Sequence, residues 1–66
     1  MGMAGDELRK HRRQLNLTQK EMANVVGVHK NSLARMERDE MTISEPVARF
    51  IRLLVATRTR TQRRRH

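Results

Sequence analysis

The stretch of residues 18–38 constrains the fold most, because it predicts two short helices joined by a tight turn. Thr18 suits a helix N-cap, and Glu21 three residues later completes a capping box that satisfies two backbone N–H groups. Gly27 then breaks the helical pattern, as expected of a residue that ends a helix with a positive φ at no steric cost. The pattern therefore predicts a first helix that runs from the capping box to the glycine.

The second helix of this stretch begins near His29 or Lys30 and has two unlike faces. Leu33, Met36 and Glu37 lie on one side at helical spacing, so we expect that side to pack against the rest of the chain. The other residues, most of them long and polar, lie largely on the opposite side: Lys30, Asn31, Ala34, Arg35 and Arg38. That side is free to meet a partner.

One further helix is predicted on each side of this stretch. The first is expected at Asp6–Gln14, with acidic residues near its start and basic residues near its end, as the helix dipole favours. The fourth is expected at Glu45–Ala56, directly after an N-cap serine. We therefore predict an all-α fold with one domain at residues 6–56 and a flexible segment at residues 1–5. Residues 57–66 have no apolar periodicity and are expected to form a basic, disordered tail.

The fourth helix carries a wide apolar face. Four of its residues recur at the i, i+3, i+4, i+7 spacing of a helix that packs on a core: Val47, Phe50, Ile51 and Leu54. Leu53 and Val55 widen this face beyond what one small core uses. Either the helix simply has a broad packing face, or Leu53 and Val55 contact a second copy of the chain. The sequence leaves both readings open.

The charge of the chain indicates an acidic partner. Fifteen Lys and Arg residues stand against seven Asp and Glu residues, which gives a net charge of +8 over 66 residues. Five arginines lie close to the C-terminus with no acidic residue among them: Arg58, Arg60, Arg63, Arg64 and Arg65. A basic tail on a mildly basic domain suits a polyanion such as nucleic acid. The alternative is a charge that serves solubility alone.

Other classes of site have little support in the sequence. The chain has no cysteine and its three histidines are scattered, so no disulfide and no metal site is predicted. No nucleophile–base pair and no glycine-rich phosphate loop is visible, so we predict neither catalysis nor a cofactor. No apolar run approaches the length of about 18 residues that a membrane span needs. The first residues also lack the apolar core of a signal peptide, so a cytoplasmic protein is expected.

Six residues of the central stretch have types that a pair of closely packed helices and the turn between them would require: Gln19, Ala23, Gly27, Val28, Leu33 and Met36. Ala23, for example, must be small because the second helix crosses close to it. Together these residues resemble the helix-turn-helix of the phage lambda-type repressor and Cro family, the xenobiotic-response-element group. The resemblance runs from about Leu8 to Leu54. It departs at Asn16 and Asp39, where the family usually has glycine, although both residue types tolerate a left-handed backbone.

The resemblance implies a compact lambda-repressor-like domain that binds double-stranded DNA through its third helix. Many relatives have five helices, whereas four are predicted here, with a fifth as the alternative. In this family the base-reading residues lie near the start of the third helix and one turn later, which carries over to Lys30, Asn31 and Arg35, with Ser32 a weaker candidate. Lysine and arginine suit guanine O6 and N7, asparagine suits adenine N6 and N7, and Ala34 suits a thymine methyl group. The alternative is an ordinary solvated helix face.

Contacts to the DNA backbone are expected at the ends of the helices. Thr18 and Gln19 present amide groups where the helix dipole favours a phosphate. His29 is a candidate donor on the other side of the turn, or else a plain N-cap that makes no DNA contact. Arg38 is a further candidate for a phosphate contact.

The resemblance also places Arg12 opposite Glu37, as a partly buried ion pair between the first and third helices. Glu37 lies on the packing side of an otherwise basic helix, which favours the pair. The alternative is a solvated arginine, whose exposed ion pairs contribute only about 0–1 kcal/mol.

These expectations together describe a sequence-specific DNA-binding regulator, a repressor that binds a palindromic operator as a homodimer. Its half-sites would lie roughly one helical turn, or about 34 Å, apart. Two other classes stay open. One is an antitoxin-type protein that holds a toxin as well as DNA, against which the sequence shows no long apolar docking segment outside the domain. The other is an RNA-binding or architectural protein that acts through the arginine-rich tail.

Overall fold

The computed structural model describes residues 2–64, with the side chains of residues 2–58, and this part of the chain contains four α-helices and no strand. The helices are α1 (Gly5–Gln14), α2 (Gln19–Val26), α3 (Lys30–Glu37) and α4 (Glu45–Arg64). The all-α prediction is confirmed, and α2 and α3 are the helix pair predicted for the central stretch. None of the described helices is both long enough and apolar enough to cross a membrane.

α2 and the turn after it are built as the sequence predicts. Thr18 Oγ1 accepts a hydrogen bond from Glu21 N at 3.1 Å, and Glu21 Oε1 accepts one from Thr18 N at 2.8 Å, which completes the capping box. Gly27 ends the helix with a φ of 90°. Ala23 is only 1% exposed and belongs to the hydrophobic core. The turn at Gly27 sets the direction in which α3 follows α2.

α1 and α3 both end in a Schellman motif whose left-handed residue is not glycine. The φ angles are 58° at Asn16 and 61° at Asp39. After α3, Asp39 N donates to Met36 O at 3.2 Å and Glu40 N donates to Arg35 O at 2.8 Å. The amides that follow α1 make the equivalent pair of bonds. Because asparagine and aspartate tolerate the left-handed region, the two departures from glycine leave both helix ends intact.

The segment before α1 differs from the flexible start expected for residues 1–5. Met3 is 6% exposed and belongs to the hydrophobic core. α1 already begins at Gly5, whose N–H donates to Asp39 Oδ1 at 2.8 Å, while Ala4 at the N-cap makes no side-chain hydrogen bond. A single methionine that fills a gap in a core produces no periodicity, so the sequence pattern does not reveal its burial.

α4 is longer than the sequence indicates. Its expected end was Ala56, followed by a disordered tail, but the helix continues to Arg64. A loss of apolar periodicity does not by itself end a helix, and the Arg and Gln residues of this segment propagate one in the absence of glycine and proline. Arg58 Nη2 donates to Leu15 O at 3.4 Å, which connects the start of this extension to the end of α1. Residues 65–66 lie outside the described part of the chain.

The core draws on every helix, and three of the four α4 residues expected on the core side pack there, namely Val47, Ile51 and Leu54. The largest fully buried side chains are Leu8, Leu15, Met22, Leu33 and Ile51. Ala48 is also fully buried, whereas Phe50, expected on the core face, is 42% exposed. Ala48 and Val55 share the core side of α4 with Ile51, and Phe50 lies outside that side. A wide apolar stripe does not determine which of its residues faces the core.

We expect Gly5→Ala to destabilise the fold by about 2 kcal/mol, because overpacking a tight contact costs roughly 1–3 kcal/mol. A Cβ at this position would lie 2.4 Å from Glu37 O and 2.7 Å from Met36 O, which are backbone atoms at the end of α3. At an exposed helical position the same change would instead stabilise by roughly 0.5–1 kcal/mol. Urea denaturation measures the change, and a stabilised variant would contradict the close approach of α1 and α3.

Candidate nucleic-acid interface

The exposed side of α3 is the candidate interface. Four of its residues and the C-cap Arg38 share an arc of about 140° at the helical repeat, and we call them the α3 face: Lys30, Asn31, Ala34, Arg35 and Arg38. Lys30, Asn31 and Arg35 are exposed, and Ala34 among them is half-buried. Ser32, the weaker base-reading candidate, is half-buried and lies outside this arc, next to the packing side. The structure thus brings together every proposed base reader except the serine.

The opposite side of α3 is held against the domain by a buried carboxylate. Leu33 and Met36 belong to the core, and Glu37 beside them is only 3% exposed. Arg12 Nε donates to Glu37 Oε2 at 2.6 Å, and Arg12 Nη2 donates to Glu37 Oε1 at 3.3 Å. The ion pair implied by the resemblance is therefore present as a two-pronged contact, a geometry that orients both partners.

Two further side chains, those of Gln19 and Arg9, complete this cluster. Gln19 Nε2 donates to Glu37 Oε1 at 3.2 Å, and Arg9 Nε lies 3.6 Å from the same oxygen. Arg12 also donates through Nη1 to Leu17 O at 3.0 Å. We call the side chains of Arg9, Arg12, Gln19 and Glu37 the Glu37 cluster. It ties α1 and the start of α2 to the end of α3.

One signal in the sequence pointed toward Arg9 as a member of the Glu37 cluster. Arg9 and Arg12 are three residues apart on α1 and therefore share a face. Gln19 is expected to present an amide group to a phosphate, and its side-chain amide donates to Glu37, a buried carboxylate that needs several donors to offset its desolvation. At Gln19 it is the backbone amide that lies at the helix start, where amides have no intrahelical partner.

The charge state of Glu37 follows from its burial and from the donors of the Glu37 cluster. Burial by itself raises the pKa of the Glu37 carboxyl. The hydrogen bonds from Arg12 and Gln19, together with the charges of Arg12 and Arg9, outweigh burial and leave the pKa below its ordinary value. Glu37 is therefore an ionised carboxylate at neutral pH, and its charge is matched within the domain.

Acid is expected to weaken the fold through Glu37. Because its pKa is lower in the folded than in the unfolded chain, the unfolded chain takes up the proton first as the pH falls below the ordinary value of 4.5. The stability that the carboxylate contributes is complete above that pH and is lost as the pH falls through the folded pKa. Urea denaturation between pH 7 and pH 3 measures the loss. In the Glu37→Gln variant the free energy of unfolding should fall less steeply between pH 7 and pH 3. An equally steep fall in that variant would assign the effect to other groups.

The starts of α2 and α3 carry the remaining backbone candidates. The hydroxyl and the amide of Thr18 are both engaged in the capping box. His29 is the N-cap of α3, and its Nδ1 accepts a hydrogen bond from Asn31 N at 3.1 Å. In the neutral ring this leaves the proton on Nε2, which is the nitrogen able to donate elsewhere.

Arg38, the last member of the α3 face, already has an acidic partner. Its Nε donates to Glu40 Oε2 at 3.1 Å and its Nη2 donates to Glu40 Oε1 at 3.2 Å. Both side chains are exposed to solvent. A phosphate contact by Arg38 therefore has to compete with this carboxylate, which the sequence reading did not foresee.

The outer side of α4 is the candidate surface for a second copy of the chain. Leu53 is 66% exposed, in agreement with an outward position. Val55, expected to accompany it, is half-buried and packs on the core, because it shares the core side of α4 with Ile51. Phe50 takes its place as the apolar neighbour of Leu53 on the outside.

Comparison with known proteins agrees with this geometry. A family model described as helix-turn-helix matches residues 8–51. The matched stretch begins in α1, contains α2 and α3 whole, and ends in α4. It therefore includes both the α3 face and the Glu37 cluster. No curated protein and no solved structure matches the chain.

Proposed function

The chain belongs to the helix-turn-helix family of Cro/C1-type DNA-binding regulators, and on this premise we propose that it is a repressor that binds a palindromic operator as a homodimer. The observation that carries the proposal is the contrast between the two sides of α3. One side is anchored through the Glu37 cluster, while the other presents exposed Lys30, Asn31 and Arg35. A helix held in this way offers its outer side chains at a fixed angle to a partner.

The proposed readout uses the major groove, which is about 12 Å wide and admits one α-helix. Lys30 and Arg35 suit the two acceptors of guanine, O6 and N7, and Asn31 suits adenine N6 and N7. Ala34 lies between them and suits a thymine methyl group. Ser32 is the weakest of the proposed base contacts, because it is half-buried and lies outside the α3 face.

The proposed backbone contacts flank this helix. The first amides of α2, at Gln19 and Lys20, lie at the positive end of the helix dipole next to the Thr18 cap, where a phosphate is favoured. His29 Nε2 is the proposed donor at the start of α3. Such contacts set the register of the helix in the groove and carry no sequence information themselves.

We propose that two copies associate through the outer side of α4, because one such module buries too little DNA surface to be selective by itself. Leu53 is the most exposed large apolar side chain described, and Phe50 lies one turn before it. Two-fold symmetry would then place the two α3 faces on half-sites roughly one helical turn, or about 34 Å, apart. A dimer across an operator represses by occupying DNA that a polymerase would otherwise use.

Leu53→Glu is expected to weaken operator binding by lowering the population of dimers. A charge in the centre of an apolar contact has to be desolvated without a partner. Analytical ultracentrifugation would show a shift toward monomer, while the thermal unfolding of the monomer stays close to that of the original chain, because Leu53 does not belong to the core. The exposed residue Val25, which lies on α2, supplies the matched control as Val25→Glu. Equal effects of the two substitutions would argue against α4 as the dimer surface.

The proposal as a whole is tested by selecting bound fragments from a pool of random duplex DNA. We expect enrichment of an inverted repeat whose half-sites are separated by about 10 base pairs between centres. Structured RNA added as a competitor separates this function from RNA binding through the arginine-rich end of α4. A pool that is not enriched in any sequence, or complete competition by RNA, would reject the proposed function.

A further inference from the structure

The ion pair between Arg38 and Glu40 lies at the end of α3, on the α3 face. Glu40 holds the Arg38 guanidinium through two hydrogen bonds, of 3.1 and 3.2 Å, that use the Nε and Nη2 edge. The other acidic residues near this end have different partners. Glu37 is buried with Arg12, and Asp39 accepts the amide of Gly5. Glu40 is thus the acidic side chain that acts on the α3 face.

The position of Glu40 is set by the backbone as well as by the pair. The Schellman motif that closes α3 uses Asp39 in the left-handed region and returns the Glu40 amide to Arg35 O at 2.8 Å. Asp39 is in turn fixed to the start of α1 through Gly5. The chain is therefore folded back so that the Glu40 side chain lies over the last turn of α3. The charge of Arg35 also contributes to the lowered pKa of Glu40, after the hydrogen bond and the charge of Arg38.

The distance along α3 indicates which part of DNA Arg38 meets. Arg38 lies eight residues after Lys30, which corresponds to about 12 Å of helix. The major groove is also about 12 Å wide. If Lys30 and Asn31 reach the bases in the groove, the other end of the helix arrives at the groove wall, which is lined by phosphates. A phosphate oxygen and the Glu40 carboxylate then compete for the same guanidinium.

We propose that Glu40 reduces the sequence-independent affinity of this protein for duplex DNA by occupying Arg38, an inference that rests on the proposed DNA binding. A phosphate can use Arg38 fully only after displacing the Glu40 carboxylate. The energetic range of an exposed ion pair corresponds to a change in affinity of about twofold to fivefold. Because each phosphate contact releases counterions, freeing Arg38 should also steepen the slope of log K against log salt by about 0.9.

The test is a double-mutant cycle on a labelled random duplex, with binding measured by fluorescence anisotropy at several NaCl concentrations. The four proteins are the original chain, Glu40→Gln, Arg38→Gln and the double variant. We expect Glu40→Gln to tighten binding with a steeper salt slope in the original background. In the Arg38→Gln background, Glu40→Gln should tighten binding by a factor that is about twofold to fivefold smaller than in the original background. Circular dichroism checks that all four proteins keep their helix content, which exposed substitutions should not alter.

Three other results would overturn the inference. An equal gain from Glu40→Gln in both backgrounds would mean that only the general loss of one negative charge matters. A loss of affinity in Glu40→Gln would mean that Glu40 orients Arg38 for DNA instead of withholding it. If the original chain binds no duplex at all, the proposed function fails, and this inference fails with it. If the original chain binds duplex DNA but the effects of Glu40→Gln and Arg38→Gln are independent, the inference about Glu40 is rejected and the proposed function is not.

Discussion

Replacing Arg12 with methionine is expected to lower the free energy of unfolding by about 3–5 kcal/mol, the range for removing one partner of a buried ion pair. The variant leaves the Glu37 carboxylate 3% exposed, without the donors at 2.6 and 3.3 Å that offset its desolvation. Gln19 and Arg9 remain near the carboxylate, which places the expected loss toward the lower end of the range. A chain of 66 residues has only about 3–10 kcal/mol of stability in all. Urea denaturation followed by far-UV circular dichroism would therefore show a partly or wholly unfolded variant.

The same experiment includes its own test of the contact. The double variant Arg12→Met with Glu37→Gln removes the buried charge together with its partner. Its loss of free energy of unfolding should therefore be smaller than the sum of the two single losses by at least about 1 kcal/mol. Arg13→Met is the matched control, since Arg13 is the next residue of α1 and is exposed. Its effect should lie within about 0.5 kcal/mol. Additive losses in the double variant would show that Arg12 and Glu37 are not energetically coupled.

Replacing Arg35 with alanine is expected to weaken binding to the selected operator by about 1–3 kcal/mol, the range for one bidentate base contact. Arg35 is exposed on the α3 face and supports no part of the core, so the fold should be unaffected. Affinity for random duplex should change little, because a base contact contributes mainly at the correct base. Titration of both duplexes at one salt concentration measures the difference between the two losses.

The arginines close to the C-terminus supply the contrast for this prediction. Glutamine in place of Arg60, Arg63, Arg64 and Arg65 should weaken the operator and random duplexes alike and reduce the salt slope by up to about 0.9 per lost phosphate contact. The two variants thus separate reading of bases from attraction to the backbone. If both lost operator and random binding to the same extent, Arg35 would be a phosphate contact and the proposed division of roles would be wrong.

These predictions concern the two sides of one helix. Arg12 acts on the side that anchors α3, and Arg35 acts on the side that meets a partner. The first variant should therefore reduce stability and operator binding together, whereas the second should reduce operator binding alone. This difference distinguishes a residue that positions α3 from one that contacts DNA.

The outward side of α4 illustrates why a wide apolar stripe is ambiguous. The spacing placed Phe50 on the core and Leu53 with Val55 outside, whereas Phe50 is 42% exposed and Val55 packs inward. Periodicity identifies an amphipathic helix, but on a wide apolar face it does not fix which residues are buried, and here Ala48 is fully buried while Phe50 is not. The proposed dimer surface therefore contains Leu53 and Phe50, and Val55 belongs to the core side.

The sequence by itself determined the α2–α3 helix pair, the capping box, the turn at Gly27 and the division of α3 into two faces. These features depend on neighbours within a few residues, whose chemistry is visible in the order of the chain. Only the tertiary structure decided that Met3 is buried, that Gln19 serves Glu37 and that Asp39 caps α1. The last two contacts join groups 18 and 34 residues apart in the chain. Such contacts exist only once the helices have docked, and docking depends on how all the side chains pack together.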